Sequence, residues 1–161
     1  MTELTQLYTI AEHGRGDCWR TAFACVLDKQ RPEEVPDFVY NADGTPNDNY
    51  FPDTVNWLWE QGYELQSVGL GQRPAGYEMA AETAERLKTE SYVVTGRSPR
   101  KYPDGRPIYH ACVRRGDGTI YDPHPEKNGL DGNPDSAWLL NPRSIETYCQ
   151  CSARSENECV C

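Results

Sequence analysis

The sequence predicts one α+β domain over residues 1–147, followed by a short cysteine-rich tail over 148–161. Three observations carry this. A chain of 161 residues suits a single domain, and four Trp, ten Tyr and three Phe supply apolar mass for a real core. Helical spacing governs segments near 18–28, 53–61 and 77–89. From residue 91 onward the pattern changes to short β-rich runs broken by turn signals, with no internal repeat.

The elements follow in order. Residues 1–17 read as an irregular lead-in with a short strand at Leu7-Tyr8-Thr9-Ile10. Gly14 and Gly16 mark a turn, and Asp17 suits the N-cap of the next helix. In that helix Cys18, Ala22, Cys25 and Val26 share one face. Phe23 and Leu27 widen it into a nearly all-apolar stripe, which predicts a central, buried helix. Pro32 and Pro36 bracket one helical turn, and 41–50 is a polar loop. A second helix is expected from Asp53 or Thr54 to about Gln61, stopped by Gly62, with Val55, Leu58 and Trp59 inward and Trp57 partly exposed. Residues 63–68 form a strand, 69–76 a turn-rich connection, and 77–89 a surface helix on the Met79, Thr83, Leu87 spacing. A β-rich run at 91–95 precedes a basic loop at 96–101. A hairpin of 108–114 with 119–121 turns on Gly116-Asp117-Gly118. A Pro/Gly/Asn-rich loop covers 123–136, and 137–140 is the last strand.

Charge and cysteine usage narrow the function classes. The formal net charge is −9, whereas binders of nucleic acid or anionic lipid are usually basic, so neither is expected as a partner. No apolar run approaches the roughly 20 residues that span a bilayer. The lead-in also lacks the basic and apolar regions of a secretory signal, so a cytoplasmic location is expected. In that compartment seven cysteines are not read as disulfides by default. Cys25 and Cys112 lie in apolar periodic segments and read as small core residues.

Cys18 is different, because it begins a helix. The partial positive charge of a helix N-terminus favours thiolate, the nucleophilic form of cysteine. Far downstream, the hairpin carries His110 on one strand and Asp122 just after its partner. Strand pairing brings Asp122 within one or two residues of the position opposite His110, and cross-strand and diagonal neighbours lie roughly 4.5–8 Å apart. The parts match a cysteine nucleophile, its base and an orienting carboxylate. His124 shares strand parity with Asp122 and is expected to face the same site. His13, five residues before the thiol, is the alternative base.

Asp17-Cys18 at a helix start, His110-Ala-Cys-Val113 on a strand and Asp122-Pro123 after the next resemble the papain-like cysteine peptidase superfamily, and within it the double-glycine leader peptidases. A tighter resemblance, over roughly residues 7–130, is to a group of small phage and bacterial proteins that brings no established substrate. It rests on Gly16-Asp17-Cys18, Glu33-Glu34-Val35-Pro36-Asp37-Phe38, Gly96-Arg97-Ser98-Pro99-Arg100, His110-Ala111 and Asp122-Pro123-His124-Pro125 with Gly129-Leu130. The superfamily resemblance implies a central N-terminal helix packed on an antiparallel sheet, and a thiol hydrolase cleaving amide or isopeptide bonds of a peptide or protein through Cys18, His110 and Asp122. It implies no cofactor for that chemistry; a phage-encoded chain would work in the host cytoplasm. Two other functions fit the same residues: a catalytically silent binding module, and an acyltransferase of transglutaminase type. Papain-like enzymes place an oxyanion-binding glutamine several residues before the cysteine. Here the position six residues upstream holds Glu12, so the role would fall to Gln6 if the lead-in folds back, to the Tyr8 hydroxyl, or to groups at Asp17-Cys18, whose backbone N–H is available in any case.

Two further groups stand out. Arg97 and Arg100, in the basic stretch 96–101, suit a clamp for a substrate carboxylate or phosphate, and Trp19 follows the nucleophile as a substrate-binding aromatic. Cys149, Cys151, Cys159 and Cys161 supply four thiolates, enough for a structural zinc ion; a tail of reduced thiols and a pair of disulfides are the other readings.

Overall fold

The computed structural model describes residues 1–71 and 78–143. The tail cysteines and their expected zinc ion lie outside those residues. Among the described residues the fold is α+β: four α-helices and one five-stranded sheet. Among the described residues no helix is long and apolar enough to cross a membrane.

Apolar spacing does in three dimensions what it does in the sequence. Helix α2 (Cys18–Val26) buries Ala22, Phe23, Ala24 and Cys25 completely. It stops where Asp28 turns left-handed (φ 54°) and Lys29 N–H closes onto the Ala24 carbonyl at 3.0 Å. Helix α3 (Tyr50–Glu60) packs beside it through the fully buried Leu58. Burial of one such Phe or Leu side chain stabilises the fold by about 1.5–3 kcal/mol.

Strands β1 (Tyr63–Gly69), β2 (Tyr92–Lys101), β3 (Pro107–Arg114), β4 (Ile120–Tyr121) and β5 (Ser136–Pro142) lie in the order β1-β5-β2-β3-β4, every neighbour antiparallel. Alternation along the strands divides the core into two. Val93, Ala111, Val113 and Trp138 face α2 and α3; Val94, Cys112, Ala137 and Leu139 face the opposite side, where Leu87 of α4 (Ala81–Thr89) and Leu130 pack. The sheet is therefore covered on both faces.

Several expectations are corrected. The lead-in forms no strand at 7–10; its backbone bonds go elsewhere, and a short helix α1 (Ile10–His13) follows, with Thr9 Oγ1 accepting from the Glu12 N–H. Helix α3 begins three residues before Asp53, at Tyr50, and the two tryptophans exchange roles. Trp57 packs on the core, while Trp59 is 49% exposed with the Arg143 guanidinium 3.4 Å above its ring. The basic stretch 96–101 is not a loop. It continues β2, with an irregularity between Arg97 and Lys101, because β3 offers a partner from Pro107 onward.

Candidate active site

Cys18 is the first residue of α2, and its N–H needs no intrahelical acceptor there. Asp17 precedes it, fully buried, but caps nothing. Its carboxylate instead accepts from Tyr8 N–H at 3.0 Å and Leu7 N–H at 3.3 Å, and pairs with the Arg20 guanidinium at 2.9–3.0 Å. This buried ion pair staples the lead-in across the start of α2. The lead-in is also held by Gln6 N–H on the Pro123 carbonyl at 2.9 Å and by Tyr121 Oη on the Leu4 carbonyl at 3.0 Å. Gln6, twelve residues away in sequence, thereby lines the same cleft as Cys18. Its Nε2 donates to the Tyr8 carbonyl at 2.6 Å, and its buried Oε1 has no hydrogen-bond partner.

His110 stands on β3 where that strand's outer edge is open, since β4 pairs only with Val113 and Arg114. It has the parity of Cys112, not of Ala111 and Val113, which pack on α2. Its Nε2 lies 2.6 Å from Asp122 Oδ1, and both side chains are buried. Asp122 also accepts from His124 N–H at 2.7 Å and Gly129 N–H at 2.8 Å, so three donors converge on one carboxylate. Burial alone would raise this carboxyl; the His110 hydrogen bond and charge, with the two N–H groups, hold it down at about 2.

The Cys18 thiol lies beside His110. Burial raises its pKa, but the histidine's charge, its hydrogen bond and the Ala111 N–H outweigh that, and the net direction is down. His110 moves the opposite way. Burial lowers it, and the Cys18 charge with bonds to Asp122, Cys112 and Cys18 pushes it up to about 12. The two shifts are reciprocal: each group favours the charged form of the other, the direction that leads to a thiolate–imidazolium pair.

The pair opens into a cleft of about 630 Å³, within the range of pockets that enclose small ligands or a few residues of peptide. Trp19, Tyr40, Tyr50, Tyr102, Tyr109 and Trp138 give it an aromatic wall. Trp19 and Trp138 meet edge to face at 5.3 Å, and each indole is tethered, to Thr54 and Thr95 respectively, at 3.0 Å. Arg100, Lys101, His124 and Glu126 make a charged end.

Several expected residues lie elsewhere. Arg97 is exposed and is not among the cleft residues. Tyr8 carries the Arg15 guanidinium over its ring and meets the His13 imidazole edge to face, and neither it nor His13 lines the cleft. Asp17 acts on the site by holding the lead-in, and its charge opposes ionisation of the Cys18 thiol. Cys25 is an inert core thiol, raised by burial. Cys112 is buried as expected but also touches the site: its sulfur lies within 4.8 Å of ligand atoms of His110 and Asp122. Those three could offer a metal one nitrogen, one sulfur and one oxygen. The 2.6 Å between His110 and Asp122, however, is hydrogen-bond spacing, shorter than the about 3.3 Å between two ligands of one tetrahedral zinc ion. Trp19 lines the cleft as expected. Sequence reasoning missed the Ala111 and Gly129 N–H groups and the rest of the aromatic wall, which no spacing rule marks. No family model, curated protein or solved structure matches the chain.

Proposed function

We propose that the chain is a thiol hydrolase of papain-like architecture, cleaving an amide or isopeptide bond in a peptide or protein substrate. The observation that carries this reading is the file of three side chains at the cleft: a helix-start thiol with lowered pKa, an imidazole beside it, and a buried carboxylate 2.6 Å from that imidazole's far nitrogen. Such a file has a chemical use and a structural cost. A buried Asp–His pair next to a third titratable group is an expensive way to fill a core.

On this reading the reaction runs as follows. The Cys18 thiolate attacks the substrate carbonyl carbon, forming an S–C bond and pushing an electron pair onto oxygen. The Cys18 N–H and the second hydrogen of the Gln6 amide, the one not spent on Tyr8, are the donors for that oxyanion. Protonated His110 then delivers its proton to the leaving nitrogen as the C–N bond breaks, leaving a thioester. Neutral His110 next takes a proton from water, hydroxide adds to the thioester, and expulsion of the thiolate releases the carboxylic acid. Asp122 fixes the ring throughout and favours its charged form. The twofold use of His110 as acid and base needs its tautomer held, which is what a short bond to a carboxylate with no other freedom provides.

The test is an acylation burst. A p-nitrophenyl ester of an N-acylated aromatic amino acid should release one nitrophenolate per protein molecule, then turn over slowly, with the acyl group on Cys18 by mass spectrometry. Cys18→Ala should show neither phase. Absence of a burst in the wild-type protein would leave the silent binding module as the better account.

A further inference from the structure

Arg100 carries a buried guanidinium whose terminal hydrogen-bond donors are unspent. Both terminal nitrogens of its guanidinium, Nη1 and Nη2, are buried and make no hydrogen bond. The nearest carboxylates stand off: Asp122 Oδ2 at 3.7 Å and Glu126 Oε2 at 3.8 Å. Asp122 is held at that distance by its bonds to His110, His124 N–H and Gly129 N–H, which fix the carboxylate from three sides. A desolvated fork with its donors unspent is costly, and a planar carboxylate is its best complement.

The two neighbours differ in one respect. The Asp122 side chain is 3% exposed and the Glu126 side chain 58%, so the fork is reached from the Glu126 side. Glu126, Arg100, Lys101 and His124 all line the cleft that holds Cys18. Glu126 is loosely held, touching Asn128 at 3.1 Å and standing 3.9 Å from His124 Nδ1. It has the chemistry of a substrate group and occupies the approach to Arg100 without completing its bonds.

We propose that Arg100 is an anion-recognition residue that selects substrates carrying a carboxylate close to the scissile bond, and that Glu126 keeps its place until such a substrate displaces it. The inference rests on the thiol-hydrolase reading, since it takes Cys18 as the reacting atom. Two sources of the carboxylate share this chemistry, a chain terminus and an acidic side chain.

Alkylation at Cys18 tests it without any knowledge of the natural substrate. The thiolate displaces iodide from carbon, one S–C bond forming as one C–I bond breaks. Four probes suffice: iodoacetyl-leucine, with an α-carboxylate; iodoacetyl-glutamic acid α-amide, with a side-chain carboxylate; and the fully amidated counterpart of each. Rates at Cys18 are read by peptide mass and divided by those of N-acetylcysteine with the same probe.

One acid should outpace its amide at Cys18 by about tenfold after that correction, the size expected of a charge-assisted hydrogen bond; which acid does so identifies the source. Arg100→Gln should bring the ratio to that of the free thiol, and the exposed Glu126→Gln should raise it. Thermal unfolding of both variants separates misfolding from lost recognition, and Glu126→Gln keeps the idea exposed to disproof if Arg100→Gln does not fold. Equal corrected rates for acid and amide overturn the inference and leave the nucleophile standing. A preference that survives Arg100→Gln overturns the assignment to Arg100. Failure of all four probes to label Cys18 overturns the hydrolase reading itself.

Discussion

Asp122 shows how one residue organises a site. Its two oxygens bind the His110 ring and tie down the backbone at His124 and Gly129, so a side chain that orients the base also anchors the loop roofing it. Removing it as Asp122→Ala strands three donors in a buried place and should destabilise the protein by about 3–5 kcal/mol in urea unfolding. A loss below about 1 kcal/mol would contradict the placement. The pH dependence has a definite sign. Folding depresses this carboxyl to about 2, from about 3.9 in an unfolded chain. Its stabilisation, about 2–3 kcal/mol, is therefore fully present above the unfolded value and drains away as pH falls toward the folded one. Asp122→Asn should flatten the acid limb of the stability curve between about pH 5 and 2. An unchanged limb would mean another carboxylate governs acid unfolding. His110 and Asp122 were legible as a pair because hairpin register is local: continuing Val113↔Tyr121 by one step sets Asp122 opposite Cys112, two residues from His110. Arg97 was misjudged against Arg100 because alternate strand parity decides which basic residue turns inward, and the stretch reads as a loop until β3 is there to pair with it.

At the scale of elements, the start of α2 depends on a segment that has almost no regular structure. Residues 1–9 run beside α2, from Thr2 N–H on the Cys25 carbonyl at 3.2 Å to Tyr8 N–H on Asp17. The sequence reads as a strand there because Leu7, Tyr8 and Ile10 are good strand formers. In the structure it joins no strand of the sheet. The bond to Asp17 takes the strand's place, and it is not a spacing signal. Asp17→Ala should leave the Arg20 guanidinium, 9% exposed, without its counter-ion, and the loss should again be about 3–5 kcal/mol. It should also slow acylation more than it slows plain alkylation, because Gln6 acts on the oxyanion and alkylation forms none. Equal slowing of both reactions would show that the lead-in supports the thiol alone. Helix α2 itself was easily read: a run without Gly or Pro, apolar on nearly every side, has nowhere to go but the core.

For the whole molecule, the division between legible and illegible follows sequence distance. Helices α2, α3 and α4, the hairpin and the final strand rest on local periodicity, and the structure has them within a few residues of where spacing puts them. The insertion of β5 between β1 and β2, and the aromatic wall assembled from Trp19, Tyr40, Tyr50, Tyr102, Tyr109 and Trp138, depend on packing between distant segments and have no local signature. The two covered sheet faces matter for chemistry as much as for stability. They exclude water from His110 and Asp122, while the open edge of β3 lets Cys18 reach them from α2. Burial by itself would make Cys18 a worse acid than free cysteine, and the imidazolium, helped by the Ala111 N–H, reverses that. The balance between those two effects is the centre of the account, and the pH profile of iodoacetamide alkylation at Cys18 measures it directly. The rate should inflect below the about 8.5 of a free cysteine thiol, with His110→Ala moving the inflection upward. An inflection at or above the free-thiol value in the wild-type protein would contradict it, leaving Cys18 an ordinary buried sulfhydryl.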